Sequence, residues 1–581
     1  MKNNSNILSI DQVSYKYGNG NEPALRELDL DVKRGHFTSI MGKTGAGKTT
    51  LLMLLNGLIP HFFDGEIQGR VTTARLDTQR YHIQTLARRI GLVLQDPDTQ
   101  ILGMTVEKDV AFGPSNLGFP PEKIRETIPR VLDTVGLANY EHRVPAKLSG
   151  GEKQRLAIAG ILAMQPLILA LDEPTSELDP LSRRRLFDTC YKLCHSLGYT
   201  VICATHDSEE ALLYSDSIIV LENGKIAWEG KPGDLFSDIS LCKLSGIRPP
   251  AIAEFLHDLQ STDTVSIQEI PVTLNEGIDA LYTLLKGRTI LSSNWNSLTA
   301  KQSQKETMIE VKNLYHRYED GFEALHGISL QIKAGEFIAL VGQNGAGKST
   351  FVKHLNRLLL PTEGDVFIKG VNTKNSDTST LGKTIGYVFQ NPDHQIFSSS
   401  VREEIAFGLH HICGIGGAEA DDRIHYALNF VGLADKIDRH PFSLGKGERQ
   451  KLAVASVLAV EPDIIVIDEP TTGLDWIGTQ QMMKLITSLH SLGHTVIMIT
   501  HDMQLAADYA SRIIILNRGK VAADGIPGDV FSQSEILEQS SLVPPPAALI
   551  TNELRKRGIN ITAVRMSDLR EIVVGRLLHR T

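Results

Sequence analysis

Residues Gly42–Thr50 read GKTGAGKTT, and Gly342–Thr350 read GQNGAGKST. Each follows a short apolar run, HFTSIMG or EFIALVG, and opens a segment of helical spacing, KTTLLMLLNGL or KSTFVKHLNRL. Strand, GxxxxGK[ST], helix is the context in which a glycine-rich turn cradles phosphates. The glycines let backbone N–H groups converge on phosphate oxygens, and the helix N-terminus adds its dipole. The first phosphate-binding set is therefore Gly42, Lys43, Thr44, Gly45, Ala46, Gly47, Lys48, Thr49 and Thr50. The second is Gly342, Gln343, Asn344, Gly345, Ala346, Gly347, Lys348, Ser349 and Thr350. Lys48 and Lys348 bring positive charge to the outer phosphates, and Thr49 and Ser349 each offer a hydroxyl to Mg²⁺.

The repetition extends well beyond these turns. LVLQDPDTQIL around Gln95 recurs as YVFQNPDHQIF around Gln390, LALDEPTSELD as IVIDEPTTGLD, and CATHD at His206 as MITHD at His501. Two copies of one domain thus follow each other, as fixed-period self-similarity implies. The offset between copies falls from 300 at the glycine-rich turn to 295 at the glutamine, so the first copy carries about five extra residues between Gly47 and Gln95. The stretch HFFDGEIQGRVTTARLDTQRYH is the expected place, since a surface loop tolerates such an insertion.

Strand-like and helical runs alternate in each copy, which predicts an α/β fold with two P-loop domains in tandem. The expected boundaries are 1–246 for the first domain, 247–306 for a linker with a short C-terminal appendage, 307–540 for the second domain and 541–581 for its own appendage. RPPAIAEFLHDL and PPPAALITNELRKRG open the two appendages, and the polar SSNWNSLTAKQSQKET reads as the flexible part of the linker, with a small independent domain as the alternative reading of 247–306.

The chain has 581 residues, a net charge of −9 and 42% hydrophobic residues, ordinary for a soluble globular protein. The acidic balance argues against a protein that wraps nucleic acid. No run approaches the length needed to span a bilayer, and MKNNSNILSIDQ does not read as a signal peptide. The five cysteines show no metal spacing and read as free thiols.

Other repeated residues supply chemistry. LILALDE and IIVIDE deliver Asp172–Glu173 and Asp468–Glu469 to the end of a buried strand. The first acid of each pair suits the Mg²⁺ shell, and the second can polarise an attacking water. His206 and His501 follow strand-like runs about 34 residues after those aspartates and are expected to be catalytic with Glu173 and Glu469. Gln95 and Gln390 suit a Mg²⁺ and water contact, and Tyr17 and Tyr318 suit stacking on a purine, although Tyr15 and Tyr315 stand close by.

LSGGEKQRLAIA, from Leu148 to Ala159, resembles the signature of ATP-binding-cassette ATPases. With the motifs above, the resemblance covers both repeats almost completely. It implies a helical subdomain bearing the signature in each cassette, and ATP held between the P-loop of one cassette and the signature of the other, with Ser149, Gly150 and Gly151 contacting nucleotide. QDPDTQIL with VEKDVAFGPSNLG, and QNPDHQIF with VREEIAFGLHHIC, are similar to the ATPases of energy-coupling-factor importers of vitamins or transition-metal ions. That likeness implies a peripheral protein at the cytoplasmic face of the cell membrane, with a membrane coupling protein and a separate substrate-binding membrane protein as partners and no nucleic acid. The contact is expected near Asp98, Gln100, Asp393 and Gln395, with capping of the following helix as the plainer role for the two aspartates. The fused ATPase of a sugar importer and a soluble double cassette acting on ribosomes or DNA share the ATP motifs. The paired QxPDxQ segments weigh against the first. The linker, acidic rather than basic, weighs against the second.

The second signature departs from this pattern: LGKGERQ puts Gly445 where the first copy has Ser149, and Lys446 where it has Gly150. The site using Lys348, Gln390, Asp468, Glu469 and His501 with the intact signature is therefore expected to be the better hydrolase. The site using Lys48, Gln95, Asp172, Glu173 and His206 is expected to be slower.

Overall fold

A computed structural model describes residues 6–18, 20, 22–176, 178–261, 267–287 and 305–578. Residues 292–304 of the stretch expected to be flexible lie outside the described residues. The chain divides into two compact units, Met1–Gly277 with Asp475–Ile477, and Ile278–Leu474 with Gly478–Thr581.

The first unit is built on a six-stranded sheet in the order Lys225–Gly230, Ser217–Glu222, Phe37–Met41, Thr200–Ala204, Ile168–Asp172, Ile90–Val93. All neighbours are parallel except the outermost Lys225–Gly230. Parallel strands covered on both faces need apolar residues at every position, and Phe37–Met41, Ile168–Asp172 and Thr200–Ala204 are buried throughout. Their alternation sorts two cores. Ile168 and Ala170 join the apolar face of the helix Lys48–Asn56, while Leu169 and Leu171 pack with the helices Val106–Asn116, Pro121–Thr134 and Gly150–Ala163. A four-stranded antiparallel sheet, Leu25–Lys33, Asn6–Tyr17, Gly65–Thr73, Leu76–Asp77, closes the first core.

The second unit repeats this plan. Its six-stranded sheet runs Ile385–Val388, Ile464–Asp468, Thr495–Thr500, Phe337–Val341, Arg512–Asn517, Lys520–Gly525, and its antiparallel sheet Glu323–Lys333, Thr307–Arg317, Glu363–Ile368, Val371–Asn372. Its helical part holds Val401–Gly408, Gly417–Val431 and Lys446–Leu458. Each unit is an α/β cassette with a helical subdomain.

Strand register locates the length difference. Ser14 pairs with Gln68 in the first unit, and its counterpart Tyr315 with Glu363 in the second. The extra residues therefore fall before Gln68, where residues 56–67 stand against 356–362. That segment holds the short helix Leu58–His61, so the insertion lies at or just before the start of the stretch expected and does not extend to His82.

The linker region contributes the helices Ala251–Gln260 and Leu274–Leu285, and the tail contributes Pro546–Lys556 and Met566–Leu578. All five cysteines are free thiols. Among the described residues, no helix is long and apolar enough to cross a membrane.

Candidate nucleotide sites

Both P-loops join the central strand of the parallel sheet to a helix whose N-cap glycine is left-handed: Gly47 at φ 104° before Lys48–Asn56, Gly347 at φ 100° before Lys348–Leu355. No side chain caps either helix, so the first-turn N–H groups face the loop. A Cβ on Gly42 would stand 2.2 Å from the Leu221 carbonyl, and one on Gly47 2.9 Å from the Ala24 carbonyl. Both positions thus need glycine for space as well as for φ.

The lysines fold back over their loops. Lys48 Nζ donates to the carbonyls of Gly42 at 3.0 Å and Lys43 at 3.3 Å. Lys348 Nζ donates to those of Gly342 at 2.7 Å and Gln343 at 3.0 Å. Both lysines are buried, and a buried ammonium needs such partners.

In the first unit Lys48 Nζ also lies 3.4 Å from Glu173 Oε1 and 3.2 Å from His206 Nε2. His206 Nε2 is 2.8 Å from Glu173 Oε1. Lys48, Glu173 and His206 therefore form one cluster. Burial pushes the Glu173 carboxyl up, but the His206 hydrogen bond and charge with Lys48 outweigh it, and the carboxyl is held down at about 2. Gln95 Nε2 reaches Glu173 Oε2 only at 3.5 Å. In the second unit His501 meets Glu469 Oε2 through Nδ1 at 2.9 Å. Gln390 is exposed, and among the described residues no hydrogen bond joins it to Glu469. Both glutamates have positive φ, 46° at Glu173 and 48° at Glu469, with their amides held by the Ala204 and Ile499 carbonyls of the neighbouring strand. Non-glycine residues rarely adopt this conformation, and it turns the chain sharply at the strand end.

The residues expected around Mg²⁺ gather beside these clusters. Burial lifts the Asp172 carboxyl to about 6, opposed by a hydrogen bond from Thr49, and Asp172 Oδ1 is buried without a hydrogen-bond partner. Ser349 Oγ donates to Asp468 Oδ2 at 3.1 Å, and burial raises the Asp468 carboxyl as well. A hydroxyl and a carboxylate at the end of each P-loop are hard oxygen donors of the kind Mg²⁺ takes, and the unpartnered Asp172 oxygen fits a cation at that point. Tyr387, which sequence reasoning missed, donates to Asp468 Oδ2 at 2.9 Å. Its counterpart in the first copy is Leu92, so the repeat held no signal for it.

The tyrosines separate. Tyr17 and Thr50 hydroxyls lie 3.0 Å apart, and those of Tyr318 and Thr350 2.9 Å. Tyr15 is fully buried in the core, whereas Tyr315 lies over Gly327. Behind Thr350 is a histidine pair peculiar to the second copy. His354 Nδ1 donates to the Thr350 carbonyl at 2.7 Å, and its Nε2 is 3.1 Å from His316 Nδ1.

Ser149 caps the helix Gly150–Ala163 in a capping box with Glu152, whose other oxygen accepts from Tyr140 at 2.9 Å. Gly445 begins Lys446–Leu458 with its N–H on Glu448 Oε2 at 3.1 Å, and Lys436 pairs with the other oxygen of Glu448. The loss of the serine therefore leaves half of the box intact.

At the positions expected to meet a membrane partner, the structure departs from the sequence reading. Gln100 and Gln395 are expected near a partner contact. Instead, Gln100 accepts from Leu94 N at 2.8 Å and donates to the Leu92 carbonyl at 3.0 Å. Gln395 accepts from Phe389 N at 3.3 Å and donates to the Ala453 carbonyl at 3.2 Å. The Gln100 amide satisfies backbone groups where its strand ends, and the Gln395 amide joins the strand end at Phe389 to the helix Lys446–Leu458. Asp98 and Asp393 cap nothing; Asp96 and Asn391 cap the short turns that follow, and Thr105 and Ser400 the next helices. Instead, Asp98 pairs with Lys153 at 2.7 Å, and Asp393 with Arg449 at 2.6 Å, both cations on the signature helices. Further along each chain segment, Leu102, Met104 and Phe112 in the first unit are exposed, as are Phe397 and Phe407 in the second, whose rings meet edge to face at 4.7 Å.

The sequence pattern of the ABC transporter family matches residues 25–176 and 325–472. A relative from Caldanaerobacter subterraneus subsp. tengcongensis, described as an ABC transporter ATP-binding protein, is 40% identical over 543 residues, 93% of this chain and 94% of its own. Another from Methanosarcina acetivorans, similarly described, is 38% identical and covers 99% of this chain and 95% of its own. The solved structure of cbiO1 from Clostridium perfringens, part of the ABC transporter complex cbiONQ, is 34% identical and covers 40% of this chain and 94% of its own, with a TM-score of 0.37. With both cassettes matched and relatives aligned along nearly the whole length, the chain belongs to the ABC transporter family, as a tandem ABC ATPase.

Proposed function

We propose that this chain is the ATP-hydrolysing subunit of an energy-coupling-factor importer for a vitamin or transition-metal ion, docked on the cytoplasmic face of the membrane. The observation that carries this reading is the paired QDPDTQIL and QNPDHQIF segments, each ending beside exposed apolar side chains: Leu102, Met104 and Phe112 in one unit, Phe397 and Phe407 in the other. Large exposed apolar residues on the segment that carries an exposed carboxylate suit a short amphipathic helix bearing arginine. The proposed occupants are such cytoplasmic helices of a membrane coupling protein, with a separate membrane protein recognising the cargo.

In this reading ATP lies on each P-loop, with Lys48 or Lys348 on its outer phosphates and Tyr17 or Tyr318 against its base. Thr49 and Asp172, or Ser349 and Asp468, would hold Mg²⁺, which supplies charge neutralisation at the transferring phosphoryl group. Glu173 and Glu469 accept a proton from the attacking water, and His206 and His501 position them. A site completed by the signature Ser149, Gly150 and Gly151 turns over faster than one completed by Gly445 and Lys446. The test is purification of the tagged chain from detergent-solubilised membranes, followed by uptake assays on the reconstituted assembly. Recovery without any membrane protein, or with ribosomes, would overturn the reading.

A further inference from the structure

Arg449 makes three contacts at once. Its Nε and Nη2 donate to Asp393 Oδ1 and Oδ2 at 2.6 and 3.3 Å, and its Nη1 donates to the Leu444 carbonyl at 2.6 Å. Asp393 lies in the turn Pro392–His394 just beyond Gln390, and Leu444 immediately precedes Gly445. One guanidinium, with only 18% of its side chain exposed, thus joins the glutamine loop to the backbone that enters the second signature. In the first cassette Lys153 occupies the same position, and among the described residues its Nζ meets Asp98 alone.

The difference follows from the side chains. A guanidinium is a rigid planar fork that fixes direction at two acceptors, whereas an ammonium is a point charge on a flexible stem. Gly445 has lost the hydroxyl with which Ser149 caps its own helix. The second signature therefore keeps one fewer local anchor at its start, and Arg449 supplies a long-range one.

We propose that Arg449 is a positioning residue that makes the geometry of the second signature, Leu444–Glu448, depend on the position of its own glutamine loop through Asp393. A displacement of the loop then passes to the Leu444 carbonyl through one side chain. In the first cassette the lysine passes it less directly. The use made of this tie by a docked membrane helix rests on the function proposed above; the tie itself does not.

Amide hydrogen exchange on the full-length chain tests it, with no membrane partner needed. The amides of Glu448 and Arg449, both bonded to the Gly445 carbonyl, report the signature. Asp393→Asn and Arg449→Lys should each speed their exchange by about tenfold, the scale of one charge-assisted hydrogen bond. The double variant should exchange no faster than either single one, as coupled residues require. Asp393→Glu should restore slow exchange. The amides of Glu152 and Lys153 in the first cassette and the melting temperature should stay unchanged. Unaltered exchange in Asp393→Asn, additive effects in the double variant, or loosening of the whole helix with a falling melting temperature would each overturn the proposal. Failure of the importer reading would show instead in co-purification and uptake, which this measurement does not use.

Discussion

The Glu173 carboxylate lies 2.8 Å from His206 Nε2, while Glu469 meets His501 through the other ring nitrogen, Nδ1, at 2.9 Å. The two repeats therefore place the same residue pair at hydrogen-bond distance through different ring nitrogens. In each, the histidine can orient the carboxylate that is proposed to take the water proton. The asymmetry of the signatures is thus joined by an asymmetry in the resting geometry of the two sites.

Replacing the acid while keeping its shape separates the sites. Removal of a general base costs about 10² to 10⁴ in rate. Glu469→Gln should abolish most steady-state ATP turnover while preserving ATP binding, and Glu173→Gln should cost much less. Comparing kcat and nucleotide affinity of the two variants decides it, and equal losses would remove the asymmetry.

The degenerate signature can be repaired. A Cβ at Gly445 would meet only Glu448 Oε2, at 3.9 Å, so a serine fits and can cap the helix as Ser149 does. Gly445→Ser with Lys446→Gly should raise total ATPase activity if donors for the γ-phosphate limit the slower site. A lower rate would assign Lys446 a positive role.

Asp98→Ala together with Asp393→Ala should weaken recovery of membrane partners and stop uptake. The structure sharpens this test, because each aspartate already has a cation of its own in Lys153 or Arg449. A partner arginine must share or displace that cation. Raised salt should therefore weaken assembly in the wild type more than in the double variant. Undiminished assembly and uptake in the variant would end the docking role of these residues.

The histidine pair gives the second unit an acid sensitivity. Burial holds His354 at about 4, below the usual 6.5. Between those values the unfolded chain binds a proton that the folded chain does not, so stability falls as pH drops through this window. The full shift corresponds to about 3 kcal/mol. Urea unfolding at pH 7 and pH 4.5 should show a smaller loss in His354→Leu, the residue type the first copy has at Leu54. An equal loss in wild type and variant would contradict this.

Much of the fold and most of the site was legible because the chain states it twice. The P-loop, the acidic strand end and the histidine each recur at a matched offset, and each owes its place to a strand or helix boundary that periodicity can find. Tyr17 and Tyr15 were not separable, since both have the same parity in Asn6–Tyr17; only the end of that strand distinguishes them. The partners of Asp98 and Asp393 lie more than 50 residues away on another helix, a distance over which local pattern says nothing. Gln100 and Gln395 read as partner-facing because they follow the glutamine loop, yet their amides are taken up by backbone groups of the strand end and, for Gln395, of the helix Lys446–Leu458. Tyr387 was hidden for the opposite reason, since the copy against which it is read has Leu92.

The positive φ of Glu173 and Glu469 sets two demands on the same residue against each other. A glycine there would release strain of about 1–3 kcal/mol but remove the carboxylate. Against that strain stand the contacts of Glu173 with Lys48 and His206 and of Glu469 with His501, which hold the acids in place. Melting Glu173→Gly against Glu173→Gln separates the two demands: both lack the carboxylate that meets Lys48 and His206, only the first relieves the backbone, and the glycine chain should melt higher than the glutamine one.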